Sequence, residues 1–253
     1  MTAAKRRRKS RGRRWRWRWP LLAAAALAAI VLASALPVVA LRWVRPLTSS
    51  FMVQRSLGAW WNGEREFRLR YHWVGWDAIS PQAGIAVVAA EDQKFPTHSG
   101  FDIEAIEDAR REHEEGGRLR GASTISQQVA KNLFLWPGRT WVRKGLEAYF
   151  TVLIERLWPK RRILEIYLNV AEFGPGVYGV GAASEAYFQK PAARLTAEEC
   201  ALLAAVLPAP RRLHAGQPSA YVRERRGWIL GQMSHLGGPA YLQGITGAGK
   251  RGR

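Results

Sequence analysis

Gly121-Ala122-Ser123-Thr124-Ile125-Ser126-Gln127-Gln128-Val129-Ala130-Lys131-Asn132-Leu133-Phe134-Leu135 is the stretch on which the reading of this chain turns. Thr124, Gln128 and Lys131 stand at i, i+4 and i+7, so a helix here carries hydroxyl, amide and ammonium along one face. Upstream lies Glu91-Asp92-Gln93-Lys94-Phe95-Pro96-Thr97-His98-Ser99-Gly100-Phe101-Asp102. Glu91 closes the apolar run Ile85-Ala86-Val87-Val88-Ala89-Ala90, which Ser80-Pro81 opens as an N-cap followed by proline at the first helical position. Partial burial raises a carboxylate's pKa, which suits an acid or base working near neutral pH. Taken singly, each feature has a bland reading: a solvated acid at a helix end, a solvated polar face. A carboxylate facing a hydroxyl, amide and ammonium row suits chemistry on a sugar that carries phosphate, for which lysine serves as a point charge.

Working outward, residues 103–207 read as helical. Leu146, Phe150, Leu153 and Leu157 form one apolar stripe, and Ile163, Ile166, Tyr167 and Val170 form another. Phe173-Gly174-Pro175-Gly176 stops the second of these helices in a turn, and Pro208-Ala209-Pro210 ends an Ala/Leu-rich helix. No internal repeat is present. The class expected is mainly α.

Two further blocks complete a pattern. Arg139-Thr140-Trp141-Val142-Arg143-Lys144-Gly145-Leu146-Glu147-Ala148 has the form RKxxEA, and Lys160 to Gly179 has the form KxxILExYLNxxxFGxGxYG. With EDQKFPxHxGFD and GASTISQQ before them, these motifs resemble the peptidoglycan glycosyltransferases (family 51 glycosyltransferases), most closely their monofunctional biosynthetic branch. The resemblance covers roughly residues 50–235. It implies a lysozyme-like glycosyltransferase domain behind a single N-terminal transmembrane helix. It also implies that Glu91 is the general base acting on the acceptor sugar's 4-hydroxyl. Glu147 becomes the second catalytic acid, orienting the diphosphate leaving group or the cations around it. Lys131 and Arg139 become the diphosphate-binding cations, and Thr124, Gln128, Asp92, Phe95 and His98 the remaining substrate-binding residues. Glu155 is assigned to structure, as an ion pair with a neighbouring arginine, and Asn169 caps or lines the cleft. Two departures leave open which cations grip the phosphates: Ala122 stands where bifunctional relatives have a second glycine, and Gln93-Lys94 where two arginines are usual.

The net charge of +19 is unevenly placed, with ten cations and no acid in residues 1–19. Such a run invites a nucleic-acid reading. The 22 uncharged residues that follow, Pro20 to Leu41, argue against it, because about 20 apolar residues cross a bilayer. A basic block before a span reads as cytoplasmic, so the remainder is exported. Trp15, Trp17 and Trp19 suit an interfacial belt; Ala33-Ser34-Ala35 offers the alternative of a cleaved signal peptide. Residues 42–79, with Trp and Arg interleaved, read as a packed lead-in, a segment on the membrane surface, or both. The single cysteine, Cys200, excludes an intrachain disulfide and reads as a small core residue. The five histidines show no zinc-ligand spacing, so no metal or cofactor is expected, with a divalent cation's assistance left open.

The layout expected is therefore a cytoplasmic basic tail (1–19), a transmembrane helix (20–41), a membrane-proximal lead-in (42–79), the glycosyltransferase domain (80–236) and a flexible basic tail (237–253). By resemblance the enzyme polymerises lipid II into β-1,4 glycan strands at the inner membrane, periplasmic side, inverting the donor and releasing undecaprenyl diphosphate. Its partners are then lipid II, the growing strand and membrane lipid, with room for cell-wall synthesis or division proteins and no nucleic acid. No serine is followed three positions later by lysine, so transpeptidation is not expected. A lytic enzyme of the same fold would leave Lys131 and Arg139 idle. A basic membrane-anchored binding protein would need the tail and not Glu91.

Overall fold

The computed structural model describes residues 18–116, 123–138 and 140–246. The chain divides into two compact units, 1–41 and 42–253. The first contributes one helix, α1 (Arg18–Leu41), of which Trp19–Leu41 is long and apolar enough to cross a membrane. At 1.5 Å per residue it spans about 35 Å. Leu21, Ile30, Leu32 and Leu36 are exposed, so the helix presents apolar surface that suits a bilayer better than water. The basic tail up to residue 17, with Trp15 and Trp17, lies outside the described residues.

The second unit is helical, as the residue pattern implies. It begins with α2 (Ser50–Trp61), which Ser49 caps by accepting the Met52 N–H at 3.2 Å. A two-residue strand, β1 (Arg70–Tyr71), precedes α3 (Pro81–Glu91), which starts on the Ser80-Pro81 signal. Every residue from Ala83 to Ala89 is buried. Their small side chains let α9 (Ala197–Val206) and α10 (Ala220–His235) approach closely, and α3 becomes the core element. Cys200 lies buried in α9, its thiol pushed up to about 12 by desolvation. Between α3 and α9 run α4 (Ile103–Glu114), α5 (Ile125–Phe134), α6 (Trp141–Leu157), α7 (Lys160–Val170) and α8 (Gly179–Phe188). α5 packs on both α6 and α7.

The turn expected at Phe173–Gly176 is a hairpin of β2 (Glu172–Gly174) and β3 (Val177–Tyr178). β1 joins β3 in parallel, with Arg70 opposite Val177 and Tyr71 opposite Tyr178, giving the order β1-β3-β2. This pairing packs the 42–79 segment into the folded unit, in keeping with a packed lead-in. Asn169 secures the same join. It is fully buried, donating to the Val74 and Glu165 carbonyls (both 2.9 Å) and accepting from the Val74 N–H (2.8 Å), so it does not line a cleft. The following glycine is obligatory: Gly179 has φ +83°, and a Cβ there would sit 2.5 Å from the Asn169 carbonyl oxygen.

The apolar stripe of α6 is only partly buried: Leu146 is exposed and Phe150, Leu153 and Leu157 are half-buried, while Arg143, Glu147, Thr151 and Ile154 are buried outright. A polar face can turn inward because most of its groups find partners: Arg143 pairs with Glu147 at 2.6 Å and the Thr151 hydroxyl donates to the Glu147 carbonyl at 2.7 Å. Residues 237–246 are not a loose tail. A 3₁₀ turn over Gly238–Leu242 and α11 (Gln243–Thr246) fold back on the domain, with Leu242 buried and the Tyr241 hydroxyl donating to the Gln93 carbonyl at 2.8 Å. The rest of that segment, 247–253, is outside the described residues.

Candidate active site

Glu91 is the last residue of α3, so the core helix delivers its carboxylate to the edge of the packed interior. Gln128, one turn into α5, donates its Nε2–H to Glu91 Oε2 at 3.0 Å. From α10, Arg225 approaches Glu91 Oε1 at 3.8 Å. Desolvation dominates and raises the Glu91 pKa; the Gln128 hydrogen bond, Arg225 and Lys131 pull it back, while Asp92 adds to the rise. The outcome is a carboxylate whose proton affinity is increased although three partners favour its charge.

Lys131 follows Gln128 on α5, and burial lowers its pKa, with the Glu147 and Glu91 charges opposing the fall. Its ammonium sits 5.9 Å from the Phe51 ring centre on α2. Glu147 on α6 is buried and is clamped by Arg143 at 2.6 Å and by Lys144. Arg143 leaves its buried Nε–H without an acceptor among the described residues. Gln128, Lys131 and Tyr167 line a cleft of about 750 Å³, with Arg55, Arg211 and Arg212 also in its lining. Glu91 and Asp92 face a smaller recess of about 210 Å³ with Trp228. The Glu91–Gln128 hydrogen bond thus lies between the two spaces.

The other predicted substrate-binding residues make contacts within the protein. Asp92 is buried and accepts from His98 Nε2 (2.9 Å) and from the Ile125 N–H that opens α5 (2.9 Å). His98 Nδ1 in turn accepts the Gly100 N–H at 3.0 Å, which assigns its proton to Nε2. Gly100 has φ +97°, and a Cβ there would lie 2.9 Å from both Glu155 Cγ and Thr151 Cγ2. Its carbonyl accepts from the Thr124 hydroxyl at 2.6 Å, while Thr124 caps α5 by accepting the Gln127 N–H at 3.2 Å. The result is a closed ring of hydrogen bonds that ties the end of α3, where Glu91 stands, to the start of α5, which carries Gln128 and Lys131. Thr124, Asp92 and His98 therefore have their polar atoms engaged within the protein and hold the site in register. Phe95 is fully buried, edge-on to His98 and 4.5 Å beneath the Lys160 ammonium, so it is core and does not face substrate. Thr124 is also an N-cap, so only Gln128 and Lys131 of the expected row project from the body of the helix.

Asp92→Ala strands two buried donors, so it should cost about 3 kcal/mol, or roughly 10 °C in Tm. Thermal unfolding measures this, and an unchanged Tm would mean that the fold does not depend on these two hydrogen bonds. Glu155 is structural as expected but pairs with Lys160 at 2.9 Å and with the Ser126 hydroxyl, not with an arginine. Lys94 is taken by Glu104, and Gln93 by Gln232 at 3.1 Å. Arg139 falls outside the described residues, as do Gly121 and Ala122. Sequence reasoning missed Arg225, Arg143 and Lys144. The last two were legible as i, i+4 and i, i+3 partners of Glu147; Arg225, in a basic stretch far along the chain, gave no local signal. No cluster of three metal-ligating side chains occurs among the described residues.

The fold and site together present a mainly helical body that brings a carboxylate, an amide and an ammonium to one place. The chain belongs to the transglycosylase family, whose model matches residues 62–234; it is a glycosyltransferase. A "Biosynthetic peptidoglycan transglycosylase" of Xanthomonas campestris pv. campestris (strain 8004) is 60% identical over 211 residues, covering 83% of this chain and 86% of the relative. One from Xanthomonas axonopodis pv. citri (strain 306) is 58% identical over 241 residues and covers 95% of each chain. A third, from Klebsiella oxytoca, is 59% identical over 196 residues, 77% of this chain and 81% of its own.

Proposed function

We propose that this chain is a membrane-anchored peptidoglycan glycosyltransferase that polymerises lipid II into β-1,4-linked strands by inverting displacement. The observation that carries the reading is the helix-end carboxylate of Glu91, with its raised pKa, held by Gln128 beside the half-buried Lys131. Glu91 takes the proton of the acceptor's 4-hydroxyl as that oxygen attacks the donor's anomeric carbon. The bond from that carbon to the diphosphate breaks, and undecaprenyl diphosphate leaves with the bonding pair. Lys131, with Arg139, stabilises the charge that develops on the diphosphate. Glu147 holds Arg143 and Lys144 in place on the donor side. The names of the relatives support the biosynthetic direction.

α1 supplies a single-pass anchor, placing the N-terminus in the cytoplasm and the catalytic unit on the periplasmic face of the inner membrane. Confinement to the surface that holds both lipid-linked substrates raises their effective concentration. No transpeptidase activity is assigned, and the partners are lipid II, the growing strand and membrane lipid. Detergent-solubilised protein incubated with labelled lipid II should yield a ladder of glycan strands on size separation. Lipid II left intact while sacculi dissolve would identify a lytic enzyme in its place.

A further inference from the structure

We infer that Tyr167 is a positioning residue for the reaction: its hydroxyl donates to Gln128 Oε1 and thereby turns the Gln128 amide so that Nε2–H faces Glu91. The inference rests on the proposed role of Glu91 as base. Tyr167 is only 1% exposed, on α7, with its ring in the core stripe. Its hydroxyl lies 3.4 Å from Gln128 Oε1, and Gln128 Nε2 lies 3.0 Å from Glu91 Oε2. Among the described residues this is the hydrogen bond the Tyr167 hydroxyl makes. An amide can present oxygen or nitrogen to a neighbour, and oxygen against a carboxylate is repulsive. A donor fixed behind the amide oxygen removes that wrong orientation before substrate arrives. Three helices then act in series: α7 holds Tyr167, α5 carries Gln128 and α3 presents Glu91. With Oε2 pinned, Oε1 is the oxygen left to meet an acceptor hydroxyl, flanked by Arg225 of α10.

The other charges facing Glu91 are Lys131 of α5, Arg225 of α10 and its neighbour Asp92; all remain when the tyrosine hydroxyl is deleted. Loss of the pin takes a hydrogen bond from the charged form of Glu91, so its proton is held more tightly. Tyr167→Phe should therefore lower kcat about three- to tenfold with KM little changed. The acidic limb of the kcat/KM profile should move to higher pH. In a double-mutant cycle, Tyr167→Phe should add nothing to Gln128→Ala, since the hydroxyl acts only through the amide. Steady-state lipid II polymerisation across pH, with thermal unfolding of each variant, measures all of this.

A full wild-type rate in Tyr167→Phe overturns the inference, as does a loss that multiplies with that of Gln128→Ala. A lowered Tm without movement of the acidic limb also overturns it, because a purely structural tyrosine behaves that way. Failure of the proposed function itself is separable: there wild type makes no strands, or Glu91→Gln still does.

Discussion

Glu91→Gln should reduce lipid II polymerisation by at least about hundredfold while the protein remains folded. The substitution keeps the shape of the side chain and an oxygen to accept from Gln128, but removes the lone pair that takes the acceptor's proton. Retention of a third of the wild-type rate would remove Glu91 as the base. Stability should move the opposite way. The Glu91 pKa is raised in the folded state, chiefly by desolvation, so folding takes up protons between the unfolded and folded values. Below the ordinary carboxylate range the group is protonated in both states and costs nothing. As pH rises through the folded value, the native protein bears the cost of a buried charge. Glu91→Gln should thus melt above wild type at neutral pH, and the gap should close as pH falls below the ordinary carboxylate range. A lower Tm at neutral pH would mean that Arg225 and Gln128 outweigh desolvation.

Glu147→Gln is the second large effect, and its mechanism is different. Glu147 does not line the cleft; it is buried and holds Arg143, Lys144 and, through its field, Lys131. Breaking one partner out of a buried ion pair costs about 3–5 kcal/mol, so the variant should melt well below wild type. Its activity should fall with it, because Arg143 and Lys144, placed on the donor side, lose their anchor. The pH dependence separates this from simple unfolding. Burial already lowers the Lys131 pKa, and the Glu147 charge opposes the fall. Without that charge the ammonium is lost at lower pH, so the alkaline limb of kcat/KM should move downward. Lys131→Ala should weaken donor binding and turnover together. If neither variant altered the rate, the donor site would lie elsewhere.

Much of the site was legible in the order of residues, and the reasons are local. Ser80-Pro81 before an apolar run places Glu91 at a helix end, because capping and proline's fixed φ act within one turn. The i, i+4, i+7 spacing brings Gln128 and Lys131 onto one face, because helical geometry depends on nothing distant. Arg143 and Lys144 could have been assigned to Glu147 by the same rule. The division of labour was not legible. Asp92, His98 and Thr124 have the same polar side chains whether they bind sugar or close a hydrogen-bond ring; only the fold shows that their donors and acceptors are engaged. The apolar periodicity of α6 marks a half-buried stripe, but only the fold shows that the face of Arg143, Glu147 and Thr151 is the one buried outright, with Arg143 paired to Glu147. Segment 237–246 looked loose from its glycines and was folded by Leu242 and Tyr241 reaching back to the core.

The order of residues alone thus determined that this is a mainly helical glycosyltransferase with an apolar N-terminal span, an acid at the end of a core helix and an amide–cation face following it. Each of these is set by short-range geometry, by composition or by motif spacing. The tertiary structure alone decided what surrounds Glu91: Gln128 donating to it, Tyr167 behind Gln128, Arg225 from a helix near the other end of the chain, and the small-residue core that desolvates it. Those partners come from segments far apart in sequence, and a carboxylate's proton affinity depends on distance, burial and hydrogen bonding in space.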